Sequence, residues 1–176
     1  MTEQRIHTSN LKQEIPKLKA GDKVLLSGTV YTSRDAAHAR IFSLLDNGEE
    51  LPFEIKDAVI YYAGPTPSKP SGQIGSFGPT TSARMDKFSP RLLDLGLAAM
   101  IGKGNRNADT VDAIKRNCAV YFCAGGGFGA LISESIESIE EIAFKELGCE
   151  SVKKLEVKDL PLIVGVDSNG NSIFNR

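Results

Sequence analysis

The sequence predicts an α/β domain with a central, largely parallel sheet. Three observations lead there: short apolar runs that end in glycine-rich turns, helical patterns between those runs, and further strand patterns at both ends of the chain. The chain has 176 residues, enough for one domain with a substantial core, and residues 1–176 are read as that single domain. Hydrophobic residues make up 41% and charged residues 24%, an ordinary balance for a soluble globular protein.

The elements follow in order. Val24 to Tyr31 reads as a strand entered through the turn at Gly21-Asp22. From Asp35 to Leu45 the apolar positions Ala37, Ile41, Leu44 and Leu45 fall on one helical face, closed by Asn47-Gly48. Val59 to Ala63 is a buried strand, and the Pro-, Gly- and Ser-rich stretch from Gly64 to Pro79 is loop. Ser89-Pro90 reads as an N-cap followed by proline, with the helix ending near Gly96. Leu97 to Ile101 is a strand, Thr110 to Arg116 a helix, and Ala119 to Ala124 another buried strand. A helix is then expected from about Ala130 to Leu147, its acidic face carrying Glu134, Glu137, Glu140 and Glu141 and its last turn Lys145. Val152 to Phe174 reads as strands with a turn at Asp167-Ser168-Asn169-Gly170.

Several functions are excluded on composition. A net charge of −1 gives no basic field for nucleic acid or an anionic membrane surface. No stretch approaches the ~20 apolar residues that span a bilayer, and the polar start has no signal-peptide core. Three cysteines do not make a disulfide framework, and a cytoplasmic location is expected. Cys118 and Cys123 are separated as in half of a ferredoxin pattern, but Gly126 stands where the next ligand belongs. They read as core thiols, and no metal ligands are expected on this chain.

In open α/β sheets, functional groups gather at the carboxyl ends of the strands. Arg34-Asp35-x-x-His38, Gly102-Lys103-Gly104 and Gly125-Gly126-Gly127-Phe128-Gly129 all fall there. Each also has a structural reading: Arg34 a surface charge, Asp35 a helix cap, His38 a packed histidine, the glycine run a tight turn. Lys103 is not in a P-loop, since Gly104 rather than Ser or Thr follows it. The most pointed segment is Gly78-Pro79-Thr80-Thr81-Ser82-Ala83-Arg84-Met85-Asp86. Its hydroxyls and the Arg84 fork can together grip a carboxylate.

That segment closely resembles the Gly-Pro-Thr-Thr-Ser/Ala-Gly-Arg-Met-Asp block of class I, iron–sulfur fumarases and L-tartrate dehydratases. Arg34-Asp35-x-Ala37-His38 resembles that family's Arg-Asp-x-Ala-His motif, and Gly102-Lys103-Gly104 and Tyr121–Gly129 resemble its later blocks. The resemblance runs from about Val24 to Val164, with Ala83 departing from the family's glycine. It implies a swivelling β/β/α domain of three layers, a central parallel sheet and a second antiparallel one. It also implies the β subunit of a two-subunit hydro-lyase, fumarate hydratase first and L(+)-tartrate dehydratase second, paired in an α2β2 assembly with an α subunit that holds the [4Fe-4S] cluster. By the same resemblance Arg34, Arg84 and Lys103 bind a dicarboxylate substrate with Thr80 and Thr81, and Thr80 is the base. Asp35, His38, Ser82 and Asp86 stand as supporting residues.

The chemistry agrees with the resemblance. Removing a proton beside a carboxylate builds charge on that carboxylate, so cations must be aimed at it in advance. A departing hydroxide needs a Lewis acid such as an open cluster iron. Two rivals remain open: a non-catalytic dicarboxylate-binding module, and a stand-alone enzyme acting on a phosphorylated metabolite.

Overall fold

The computed structural model describes residues 3–65, 70, 75, 77–124 and 129–175. Strand β1 (Glu3–His7) is followed by a short helix α1 (Leu11–Glu14), strand β2 (Lys23–Thr32) and helix α2 (Asp35–Asp46). Strand β3 (Val59–Tyr61), helix α3 (Ser89–Asp94), strand β4 (Ala99–Gly102), helix α4 (Ala108–Arg116) and strand β5 (Val120–Cys123) continue the alternation. Helix α5 (Gly129–Glu134) and strands β6 (Ile136–Ala143) and β7 (Val152–Val166) complete it.

The parallel centre is present: β1, β2, β3, β4 and β5 run in the same direction, each paired with the next. The antiparallel strands are hydrogen-bonded into that same sheet, whose order is β1-β2-β3-β4-β5-β7-β6. The long β7 pairs with β5 at one end and with β2 along most of its length, so the sheet curls and closes on itself. Strand twist makes such closure geometrically natural.

The central strands are buried on both faces, so their sequences are nearly continuous apolar runs. The two-residue period still sorts them. Val59, Tyr61, Ala99, Ile101, Val120 and Phe122 enter one core cluster with Val30, Leu155 and Val164. Ile60, Tyr62, Met100 and Tyr121 face the other way, against Ala37 and Ile41 of α2, Leu92 and Leu93 of α3, and Ala113 and Ile114 of α4.

Two expectations are overturned. The helix expected from about Ala130 to Leu147 stops at Glu134, and the residues after it form β6 and then a 3-10 segment, Lys145–Glu150. The spacing of Ile136, Ile139 and Ile142 fits a helical face, but cross-strand pairing wins. Glu140 and Glu141 lie opposite Lys154 and Lys153 of β7, which places charges of opposite sign together. Ser89 is not the cap of α3: Phe88 takes that position, and Ser89 is a buried helical residue whose hydroxyl donates to the Met85 carbonyl at 2.9 Å. Strand β1, in the polar start of the chain, carries no apolar alternation and gains its place by pairing with β2. Asn47-Gly48 closes α2 as expected, with Gly48 at φ 66, and Asp167 to Gly170 form the expected turn. Of the glycine run, Gly125 to Phe128 lie outside the described residues, while Gly129 opens α5.

Candidate functional site

The carboxyl ends of β2, β3 and β4 meet at one edge, and a strap formed by residues 78–86 lies across them. Tyr62 extends the ladder past β3 by donating its N–H to the Ile101 carbonyl at 2.9 Å. Pro79 bridges Ala63 in the antiparallel sense, and Thr81 bridges Lys103 in the parallel sense. The Thr80 N–H donates to the Tyr62 carbonyl at 2.7 Å, and the Ser82 N–H to the Lys103 carbonyl at 2.9 Å. Such close approach requires a glycine at 102. A Cβ there would lie 2.0 Å from Ser82 Oγ, where no atom fits.

The strap then turns through the 3-10 segment Ser82–Met85 and sends its side chains two ways. Arg84 points outward and binds Asp35 at the start of α2 with both arms, Nε to Oδ1 at 3.0 Å and Nη2 to Oδ2 at 2.7 Å. The pair is open to solvent, with side chains 48% and 42% exposed. Partial burial pushes the Asp35 carboxyl up, but the Arg84 hydrogen bonds, a backbone hydrogen bond and the charges of Arg84 and Arg34 together hold it below the usual carboxylate range. Asp35 takes the Nε–Nη2 edge of the guanidinium, and the Nη1–Nη2 edge has no partner among the described residues. Asp86 points inward and lies against buried Arg106, with Nε to Oδ1 at 2.7 Å.

Arg34 precedes α2 and leans between two acids, its Nε 3.6 Å from both Asp35 Oδ2 and Glu150 Oε1. That Nε is shielded from solvent and makes no hydrogen bond among the described residues. Gly64 leaves it room, since a Cβ there would approach Arg34 Nη1 to 3.0 Å. Asp35 does not cap α2; the Ala36 N–H donates instead to Glu150 Oε1 at 3.1 Å, so a distant carboxylate satisfies that helix start. Lys103 and Thr81 are exposed and Thr80 is half-buried. Neither Lys103 Nζ nor Thr80 Oγ1 has a partner among the described residues.

The sequence-based site residues thus divide. Arg34, Asp35, Thr80, Thr81, Arg84 and Lys103 come to the same edge of the sheet. His38, Ser82 and Asp86 lie inside the protein. His38 does not share a crevice with Arg34: it is fully buried, edge-on to the Tyr62 ring and tilted against Phe88. Its Nδ1 lies 3.1 Å from the Arg34 carbonyl and 2.7 Å from Ser33 Oγ. Burial holds the imidazole neutral, with its pKa pushed down to about 4 even though the bond to Arg34 opposes this. Ser82 Oγ is 2.8 Å from the Tyr121 hydroxyl.

Sequence reasoning missed Arg106 and Glu150. No local signal points to Arg106, which sits in a polar stretch, Asn105-Arg106-Asn107, that reads as surface. Glu150 follows Gly148 and Cys149 and reaches the site only through the fold.

The cysteines do not fit an iron–sulfur cluster. Cys123 ends β5, whereas Cys118 stands in the turn that precedes the strand, at φ 49, and packs against the core. Burial pushes the Cys123 thiol up, away from the thiolate a metal needs. Cys149 is exposed elsewhere. Among the described residues no group of three His, Cys, Asp or Glu side chains could hold a metal ion, and no helix is long and apolar enough to cross a membrane.

This chain is similar to proteins of known class. A putative L(+)-tartrate dehydratase subunit beta from Methanocaldococcus jannaschii is 41% identical over 171 residues, which covers 94% of this chain and 88% of that protein. Fumarate hydratase 2 of Leishmania major is 39% identical over 168 residues, 94% of this chain but 30% of its own length. The aerobic class I fumarate hydratase of Escherichia coli is 39% identical over 165 residues, 93% of this chain and 30% of that enzyme. The chain therefore spans about a third of the fumarate hydratases it matches and most of the tartrate dehydratase subunit. The family described as fumarase C-terminus matches residues 2–176, and the chain belongs to that family.

Proposed function

We propose that this chain is the β subunit of a two-subunit hydro-lyase acting on a four-carbon dicarboxylate. Fumarate hydration to L-malate is the first assignment. The observation that carries it is the bridge between Thr81 and Lys103, which joins two motifs far apart in sequence at the carboxyl edge of the parallel strands. The edge then offers three cations, Arg34, Arg84 and Lys103, suited to a ligand with two carboxylates.

Each residue has a distinct task. Asp35 fixes the plane of the Arg84 guanidinium and leaves its outer edge for one substrate carboxylate. Arg34, steered between Asp35 and Glu150, takes the other. Lys103, with its ammonium on a flexible stem, stabilises the charge that grows on the carboxylate beside the broken C–H bond. Thr80 Oγ1 moves the proton, and the neighbouring cations lower its pKa for that task. Thr81 adds a hydroxyl contact. The [4Fe-4S] cluster belongs to the α subunit in this reading, because the cysteines of this chain do not converge. Residues 1–176 act as one domain, with the swivelling three-layer architecture the resemblance implies, in a cytoplasmic α2β2 assembly.

The near full-length match to a tartrate dehydratase subunit favours a second reading, L(+)-tartrate dehydration at the same residues. The test is anaerobic mixing of this chain with its cluster-bearing partner, assayed with fumarate, L-malate and L(+)-tartrate. Neither chain alone turns over, and the mixture hydrates fumarate. Turnover of tartrate alone moves the assignment to the second reading. An inactive mixture with its cluster intact overturns both.

A further inference from the structure

Arg106 is fully enclosed, its side chain 0% exposed, yet it lies only three residues beyond exposed Lys103. Every arm of its guanidinium is engaged. Nε donates to Asp86 Oδ1 at 2.7 Å, Nη2 to Ser89 Oγ at 2.8 Å and to the Tyr62 hydroxyl at 3.2 Å, and Nη1 faces Met100 Sδ at 3.5 Å. Its charged carbon lies 4.7 Å from the Tyr121 ring centroid and 5.3 Å from that of Tyr62. Asp86 is equally occupied: it also accepts from the Asn107 N–H at 2.9 Å and the Thr110 hydroxyl at 3.2 Å.

The groups around Arg106 are the same ones that hold the strap. Tyr62 gives its carbonyl to the Thr80 N–H, and the Tyr121 hydroxyl contacts Ser82 Oγ and donates to the Gly104 carbonyl at 2.8 Å. Asp86 is the strap's far end, two residues beyond Arg84. Arg106 and Lys103 share the loop after β4. A single buried guanidinium therefore fixes the strap and the lysine loop to each other.

We infer that Arg106 is a positioning residue of the site: through Asp86, Tyr62 and Tyr121 it sets Thr80 and Arg84 at a fixed distance from Lys103. This rests on the reading above that those three residues face the substrate. Lysine in its place keeps a charge for Asp86 but loses the planar fork that reaches Ser89 and Tyr62 at once. The strap then keeps only one of its ties to the buried charge, at Asp86, and loosens at the Thr81–Lys103 bridge.

The test compares Arg106→Lys and Ser89→Ala with the unaltered chain in the reconstituted pair, together with amide hydrogen exchange on the same chains. In Arg106→Lys, exchange at the Ser82 N–H rises ten-fold or more while Phe122 in the core is unchanged, and kcat/KM per intact cluster falls at least ten-fold. Ser89→Ala moves both readouts in the same direction by less. A folded Arg106→Lys with Ser82 exchange or kcat/KM at the unaltered level overturns the inference, as does a rise in exchange that is uniform through the core. Exchange does not depend on the reaction. An unaltered pair without activity removes the functional reading, and the Ser82 exchange alone then decides whether Arg106 holds the strap.

Discussion

Two arginine–aspartate pairs leave the same strap in opposite directions. Arg84 reaches outward to Asp35, with both side chains close to half exposed, while Asp86 reaches inward to Arg106, with side chains 7% and 0% exposed. The outer pair is wet and exchangeable, and pairs of that kind contribute only about 0–1 kcal/mol. The inner pair is dry, and each partner depends on the other to offset its desolvation. In the proposed function, identical chemistry serves recognition at one site and geometry at the other. Burial decides which.

The largest expected effect breaks the inner pair from the carboxylate side. Asp86→Leu leaves Arg106 as an uncompensated buried charge and destabilises the chain by about 3–5 kcal/mol, read as a shift in the urea midpoint. Adding Arg106→Met restores most of that loss, because the remaining charge is gone. If the double variant is no more stable than the single one, the inner pair is not the coupled unit described here.

Next comes the pH dependence of His38. Its folded pKa is about 4 against 6.5 for the free group. Between those values the unfolded chain binds the extra proton, so stability falls as pH drops from about 6.5 towards 4 and is fully present above that window. A separation of that size corresponds to roughly 3 kcal/mol in all. His38→Gln flattens the window. An unchanged profile in that variant assigns the acid sensitivity to other groups.

Gly102→Ala tests the close approach of strap and strand. Its new Cβ meets Ser82 Oγ at 2.0 Å and Tyr62 Cδ2 at 2.9 Å, and overpacking of this kind destabilises by about 1–3 kcal/mol. The smallest effect belongs to the outer pair: Arg84→Ala changes stability by no more than about 1 kcal/mol. A loss as large as that of Asp86→Leu would erase the distinction between the two pairs.

Much of the architecture is legible in the sequence. Val59 to Tyr61, Ala99 to Gly102 and Val120 to Cys123 are apolar enough to be strands buried on both faces, and glycines mark their carboxyl ends. Arg34, Thr80, Arg84 and Lys103 stood out through the short motifs that resemble the family's blocks; by residue type alone Arg34 reads equally well as a surface charge, and only Lys103 is flanked by glycines. The region after Glu134 was misread because isoleucines at a spacing of three satisfy a helix as well as a twisted strand. The deciding partner is the next strand, β7, and the periodicity of β6 by itself carries no sign of that pairing across the 3-10 segment between them. Arg106 was invisible for a related reason. An arginine looks the same in sequence whether water or two tyrosines surround it.

The outer pair also has a natural control. Arg116 grips Asp94 with both arms at 2.8 Å, and its side chains are 50% and 49% exposed, which closely matches Arg84 and Asp35 in geometry and exposure. Arg116 lies on α4, away from the strap. The most direct measurement of the central claim is therefore kcat/KM for fumarate in the reconstituted pair, comparing Arg84→Ala with Arg116→Ala. Arg84→Ala is expected to lose about a hundred-fold or more, the scale of a charge-assisted carboxylate grip, and Arg116→Ala to stay within about two-fold. Equal losses in the two variants would contradict the assignment of the strap as the wall that holds the substrate.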